Sequence, residues 1–245
     1  MIDFPHAKWD INLVLFFNQF CGKSLTLDTI SLIFLSVDAL RTAILVAFVV
    51  GIWNYGKLKN DISSIKRVIY ILISIIITLG VIEILNAIIQ SPRPIVSFEN
   101  LIQEPLTVTN TSELWKEGWA RNSKHGSFPS DTIALLATMS IGLFLWNRTV
   151  GLLAIIFVIF AGILPRLYFG LHYASDMFIG LLIAILSTIA IEKIKIFNRL
   201  SDFILKIEEK FPYVFGVIGF YIAYIIADKF ILLRKLPLWL KSILH

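Results

Sequence analysis

Three short segments carry the residue types from which a phosphoryl-transfer centre is built: Ser91-Pro92-Arg93-Pro94, Phe128-Pro129-Ser130-Asp131-Thr132, and a run from Arg166 to Asp176 that includes His172. Arginine presents a planar fork of five donors that meets phosphate oxygens two at a time, so Arg93 and Arg166 suit the spreading charge of a transferring phosphoryl group. Pro129 and Ser130 read as the first turn of a helix, where free N–H groups and the positive end of the dipole favour an anion and the Ser130 hydroxyl adds a donor. His172 and Asp176 stand four apart. If the helix already includes Leu171 they share one face, the carboxylate accepts from one ring nitrogen, and the other nitrogen is a nucleophile. The plainer reading of this pair is a hydrogen-bonded helix cap at a membrane interface.

Membrane helices must position these segments. Of 245 residues, 57% are hydrophobic and 16% charged, with a mean hydropathy of +0.81. The apolar residues come in blocks of about twenty, the length that crosses roughly 30 Å of hydrocarbon. This excludes soluble nucleotide-binding and barrel enzymes, nucleic-acid-binding domains and disordered tails. Apolar runs at 39–55, 68–89, 132–146, 150–165, 177–191 and 213–227 predict about six spans. The expected fold class is therefore all-α, a polytopic membrane helical bundle forming one domain over 1–245. Within it, 38–194 is the motif-bearing core and 195–245 an amphipathic helix plus a C-terminal span. Residues 1–37, whose apolar runs are broken by Asn18, Lys23, Asp28 and Asp38, form interfacial helices or a weak extra span. A signal-peptide pattern is lacking at the N-terminus, so Met1 is expected to remain.

Orientation follows from the basic residues. Lys57, Lys59, Lys66 and Arg67, then Arg148, then Lys193, Lys195, Arg199, Lys206 and Lys210 fall in alternate connections. The positive-inside rule makes these cytoplasmic and puts all three chemical segments on the extracytoplasmic side, while Arg234, Lys235 and Lys241 in the tail run against the rule. The net charge of +5 reads as lipid contact and loop bias rather than a nucleic-acid patch. Cys21 is the single cysteine and no Cys/His cluster has zinc spacing, so no metal or cofactor is expected. Trp53, Tyr55, Trp146 and Trp239 suit interfacial belts, and Glu83 and Asn86 are expected to face the bundle. Trp115 and Trp119 lie four apart in the long 91–128 connection, as a lid touching lipid or packing over the site.

These motifs resemble those of the type 2 phosphatidic acid phosphatase (PAP2) superfamily of membrane phosphatases and haloperoxidases. Its pattern is Lys-x6-Arg-Pro, then Pro-Ser-Gly-His, then Ser-Arg-x5-His-x3-Asp. The third motif matches in Arg166, His172 and Asp176, with Pro165 in place of Ser, and the first matches in Arg93-Pro94. The resemblance spans about residues 86–180 in order and spacing. It implies a PAP2-like helical fold in which His172 attacks phosphorus and becomes phosphohistidine, Asp176 orients it, and Arg93, Arg166 and Ser130 bind the phosphate without a metal. Ser-Phe-Pro-Ser-Asp, with Asp131 for glycine, is similar to the bacterial branch acting on undecaprenyl diphosphate.

Two positions depart from the pattern. Asn86 stands where the first-motif lysine is expected and Thr132 where the second-motif histidine is expected. The resemblance makes that histidine the general acid for the leaving oxygen, a task a threonine hydroxyl cannot perform. Lys124 and His125 lie just before the second motif, either replacing the charge and the acid or standing as solvated loop residues. A diphosphate substrate removes the need for an acid, because its leaving group is a phosphate ester with a second pKa of about 6. Three readings follow: a phosphatase acting on a lipid phosphate, best a polyprenyl diphosphate; a lipid phosphotransferase of the same fold; or a non-catalytic relative that binds headgroups. The partners expected are the lipid phosphate and membrane lipids, with no nucleic acid and no oligomeric state implied.

Overall fold

Helix boundaries fall at the polar residues that interrupt the apolar runs. The computed structural model describes residues 2–3, 6–106 and 126–230. Lys124, His125, Trp115, Trp119, Arg234, Lys235, Trp239 and Lys241 lie outside the described residues. The first two helices are α1 (Lys8–Asn18) and α2 (Leu25–Ser36). Next, α3 (Asp38–Lys59) ends on Asn60 in the left-handed conformation, φ 53°. Asp61 then caps α4 (Ile62–Ile88), accepting from the N–H groups of Ser63 and Ser64 at 3.0 and 3.4 Å. A short α5 (Pro94–Ser97) follows, then α6 (Asp131–Trp146). Asn147 alone separates α6 from α7 (Arg148–Val158) and caps it. A π-helical stretch, Ile159–Ile163, leads into α8 (Leu164–Tyr168). Pro165 supplies no N–H and its ring crowds the preceding turn, so the helix widens just ahead of Arg166. The chain closes with α9 (Ala174–Lys193), the amphipathic α10 (Lys195–Lys210) and α11 (Pro212–Ala227), α10 and α11 meeting at 120°.

α6 is the centre of the bundle and touches α3, α4, α7 and α9. Residues 132–140 are all buried. Small side chains allow that crowding, as expected where lipid gives helices no hydrophobic reason to associate. Thr138 donates to Thr78 on α4 at 3.2 Å. Most exposed large side chains, Ile76, Leu153, Phe160, Phe178, Val217 and Phe220 among them, are apolar and face outward as a lipid-facing surface does.

All six expected apolar runs are helical apart from Ile89, but among the described residues four helices are long and apolar enough to cross a membrane: Asp38–Lys59, Ile62–Ile88, Arg148–Tyr168 and Ala174–Lys193. A fifth arises if the bent pair α10–α11 counts as one. The third expected span, α6, has only 16 residues, about 24 Å. Its neighbours shield it, so its ends need not meet lipid headgroups. Glu83 is a correction. The buried stripe of α4 runs through Ser74, Ile75, Thr78 and Ile82, and Glu83 falls off it and is exposed, while Asn86 at its edge is half-buried.

Of the polar residues that interrupt the first 37 positions, Asn18 and Asp28 turn inward while Lys23 is exposed. Asn18 donates to the carbonyls of Tyr168 (2.8 Å) and Gln103 (3.2 Å) and accepts from the Gln103 N–H. Asp28 accepts from the Tyr168 hydroxyl (2.5 Å) and the N–H groups of Gly22 and Leu106. Together α1 and α2 thus brace α8 at the end of the bundle that carries the motifs. β1 (Ile2–Asp3) pairs in parallel with β2 (Ile89–Gln90), Ile2 opposite Ile89. At the opposite end, Lys57–Glu208, Arg67–Glu192 and Lys66–Asp202 (2.6 Å) tie α10 and the end of α9 to α3 and α4.

Gly180 on α9 lets that helix meet the start of α6. A Cβ there would stand 2.7 Å from the Ser130 carbonyl oxygen, a backbone atom that cannot swing away. Gly180→Ala should cost about 1–3 kcal/mol, the range for overpacking, read as a lower unfolding midpoint in detergent. An unchanged midpoint would show that the two helices part easily.

Candidate active site

The three chemical segments are breaks between helices, and main-chain hydrogen bonds join them. Ser127 N–H donates to the Ser91 carbonyl at 2.7 Å, Ile95 N–H to the Gly170 carbonyl at 2.8 Å, and Ser130 N–H to the Asp176 carbonyl at 3.1 Å. Gly170 adopts φ +62°, and a Cβ there would lie 2.9 Å from Ile102, so the turn between α8 and His172 needs glycine. Leu171 N–H closes that turn onto the Arg166 carbonyl at 2.9 Å.

His172 lies before α9, not on it, because the helix starts at Ala174 with Tyr173 as its cap. Asp176 Oδ2 accepts the Tyr173 N–H at 2.9 Å and lies 3.5 Å from His172 Nδ1. The same Nδ1 is 3.0 Å from the Ser127 carbonyl oxygen. A carbonyl only accepts, so Nδ1 carries the proton and the lone pair sits on Nε2. Burial pushes the imidazole down to about 4; the Asp176 hydrogen bond opposes this, and the charges of Arg93 and Arg166 reinforce it. The ring is therefore neutral at pH 7.

Arg93 caps α5 and is 6% exposed; Arg166 is 4% exposed, and its guanidinium donates to the Gly162 carbonyl in the widened turn at 2.7 Å. The two guanidinium groups lie within electrostatic reach of each other and of His172. Ser130 is the N-cap of α6, fully buried, and its Oγ has no hydrogen-bond partner among the described residues. The structure thus brings Arg93, Ser130, Arg166, His172 and Asp176 to one end of the bundle. Asn86, half-buried on α4, adds no charge there. Thr132 is buried on α6, with its hydroxyl 3.1 Å from the Asp131 carboxylate.

Two groupings at this end join residues that the sequence did not bring together. His6 Nδ1 faces Asp10 at 3.1 Å, its Nε2 lies 2.7 Å from Ser91 Oγ, and its ring stacks on Tyr173 with centroids 3.4 Å apart. Asp10 also accepts from the N–H and hydroxyl of Ser175. Burial alone would raise the Asp10 carboxyl, but the His6 and Ser175 hydrogen bonds hold it below the usual carboxylate range. Ser91 in turn meets Ser127 Oγ at 3.0 Å, so this network backs the Nδ1 side of His172. The signal was present, since His6-x3-Asp10 repeats the spacing of His172-x3-Asp176. The second group is Asp38, Arg41, Asp131 and Lys229. Arg41 pairs with Asp38, and Lys229 Nζ is 3.8 Å from both the Asp38 and Asp131 carboxylates. Arg166 lies within electrostatic reach of Arg41, Asp38 and Asp131. Asp38 and Arg41 open a long helix at the motif end, a visible signal; Lys229 follows the last described helix and gave none.

A comparison with protein families matches residues 67–199, more than half of the chain, to the PAP2 superfamily. The matched stretch contains Arg93, Ser130, Arg166, His172 and Asp176. Neither a curated protein nor a solved structure matches the chain.

Because the native imidazole resists protonation, the unfolded chain binds a proton between pH 6.5 and about 4 that the native chain does not, and native stability falls as pH drops through that window. NMR of ring-labelled histidine, with His172→Gln to assign the signal, should give a midpoint near 4. A midpoint at 6.5 would mean that the ring is solvated.

Proposed function

Since the chain belongs to the PAP2 superfamily, we propose that it is a membrane lipid phosphatase that removes phosphate from a lipid diphosphate, best a polyprenyl diphosphate, through a phosphohistidine on His172. The observation that carries this reading is the orientation of His172. Its Nδ1–H is engaged by the Ser127 carbonyl and faces Asp176, which leaves the Nε2 lone pair for phosphorus.

In the first step Nε2 bonds to the terminal phosphorus while the bond to the bridging oxygen breaks, and the lipid monophosphate leaves with that electron pair. Arg93 and Arg166 spread the charge of the equatorial oxygens, and the Ser130 hydroxyl donates to one of them. The ring becomes cationic as it is phosphorylated, and Asp176 beside Nδ1 offsets that charge. Water then attacks phosphorus, releasing inorganic phosphate and restoring the imidazole.

Thr132 cannot protonate a leaving oxygen, so a leaving group that departs as a stable anion is favoured over an alkoxide. Sidedness follows from charge: the basic residues Lys57, Lys59, Lys66, Arg67 and Arg148 lie at the end of the bundle away from His172, which supports an extracytoplasmic site in a bacterial inner membrane.

Purified protein should release phosphate from a polyprenyl diphosphate at least about 100-fold faster than from phosphatidic acid, the low end of what a general acid contributes. His172→Ala should abolish release, and Thr132→His should raise the monophosphate rate. Faster release from phosphatidic acid would overturn the substrate assignment, and activity retained in His172→Ala would overturn the mechanism.

A further inference from the structure

Helix α10 carries more charge than a membrane span tolerates and more exposed apolar surface than a solvated helix needs. Of its 16 residues, Lys195, Arg199, Lys206 and Lys210 are cationic and Asp202, Glu208 and Glu209 acidic, which keeps the helix out of hydrocarbon. Yet Ile196, Leu200 and Phe203 are 65%, 40% and 60% exposed.

These residues sort into stripes, because positions three or four apart share a helix face. Phe197, Ser201, Ile204, Leu205 and Glu208 form the covered stripe of a helix that touches α4, α9 and α11. Ile196, Leu200 and Phe203, with the half-buried Ile207, form an apolar stripe that no helix covers. Lys195, Arg199, Lys206 and Lys210, all exposed, form a third stripe beside the apolar one. The acids are placed differently. Asp202 pairs with Lys66 on α4 at 2.6 Å and Glu208 with Lys57 on α3, while the exposed Glu209, seven positions from Asp202, falls in line with that residue rather than with the cations. Among the described residues none of the four cations of α10 has a carboxylate partner, and Lys210 Nζ rests 5.3 Å from the Phe211 ring centroid.

The way α10 is tethered decides what covers its apolar stripe. Ile194 alone joins it to α9, a helix long and apolar enough to cross a membrane, and Phe211 alone joins it to α11, which leaves at 120° with Val217 and Phe220 exposed. The helix is therefore fixed where its two neighbours reach the membrane surface, and the medium around them is lipid. We propose that α10 is a headgroup-binding helix: its apolar stripe seats among the acyl chains at the bilayer surface, and Lys195, Arg199, Lys206 and Lys210 bind the phosphates of anionic phospholipids in that leaflet. Long basic side chains lay their stems over apolar surface and carry their charge to the headgroups. A zwitterionic headgroup presents the same phosphate with its own cation attached, so it competes poorly. The pairs Lys57–Glu208 and Lys66–Asp202 fasten α10 to α3 and α4 without using the lipid-facing cations. This site is at the opposite end of the bundle from His172 and does not depend on the chemistry there.

The test reads the lipid beside α10 in the full chain. Ile194→Cys, exposed and uncharged, takes a fluorophore while the native Cys21 is buried. In phosphatidylcholine nanodiscs the quencher is phosphatidylglycerol or phosphatidylcholine bearing the same acyl-chain nitroxide. Phosphatidylglycerol should reach half-quenching at about a fivefold lower mole fraction, the effect of one basic residue near an anionic surface. Roughly 1 M salt, with a Debye length of about 3 Å, should remove the difference. Lys195→Gln, Arg199→Gln, Lys206→Gln and Lys210→Gln together should also remove it, while Lys59→Gln with Arg148→Gln, exposed at the same end but outside α10, should keep it. Equal quenching by the two lipids with α10 unsubstituted would overturn the proposal and leave the face to a protein partner. A preference that survives high salt or the fourfold variant would overturn it too, as would loss of the preference with Lys59 and Arg148, which would make it a property of the whole bundle end. The unsubstituted helix in low and high salt supplies a complete comparison, so a fourfold variant that fails to fold does not remove the test.

Discussion

Backbone polarity at the helix breaks is the constraint on which this site depends. A helix satisfies its own N–H and C=O groups, but a segment that leaves the helix at the edge of an apolar bundle must find partners elsewhere or lose several kcal/mol per group. Here the breaks satisfy one another. The 91–95 segment bonds to Ser127 and Gly170, Ser130 to Asp176, and the Ser127 carbonyl to the His172 ring. Segments far apart in the chain are thus held in register by bonds that make no use of the reacting atoms. The chemistry inherits a rigid frame, because loosening any one break would leave buried polar groups without partners.

That frame explains the tautomer of His172. One carbonyl oxygen, supplied by a segment 45 residues away, requires a proton on Nδ1, and Asp176 beside it adds charge without having to fix the tautomer alone. The carboxylate has a second structural task, accepting the Tyr173 N–H at the start of α9. Orientation of the ring is therefore shared between a helix cap and a loop carbonyl. The His6 network lies behind both.

The bundle separates its charges by depth. At one end, lysines and arginines pair across helices with Glu192, Asp202 and the buried Glu208, and the more exposed Lys66–Asp202 pair contributes little to stability. At the other, cations are enclosed, and enclosure raises their influence on an anion by lowering the local dielectric. Arg166 owes its place to Pro165: the widened turn at Ile159–Ile163 exposes the Gly162 carbonyl that receives the guanidinium.

Much was legible in the chain because its signals are local. Runs of apolar residues mark helices long enough to cross lipid, and the spacing of arginine, histidine and aspartate is of the kind that a phosphate site takes, since a bilayer and a phosphoryl group each accept few solutions. Sequence alone determined that this is an all-α membrane protein and named Arg93, Ser130, Arg166, His172 and Asp176, which the structure gathers at one end of it. It misjudged Glu83, because one position along a helix turns a side chain by about 100°. It did not reveal that Asn18 and Asp28 brace α8, that His6 backs His172 through Ser91 and Ser127, or that Lys229 reaches Asp38 and Asp131. Those facts join residues between 36 and 191 positions apart, and no local pattern encodes which distant helix end will be a neighbour; only the packing of the helices decides that.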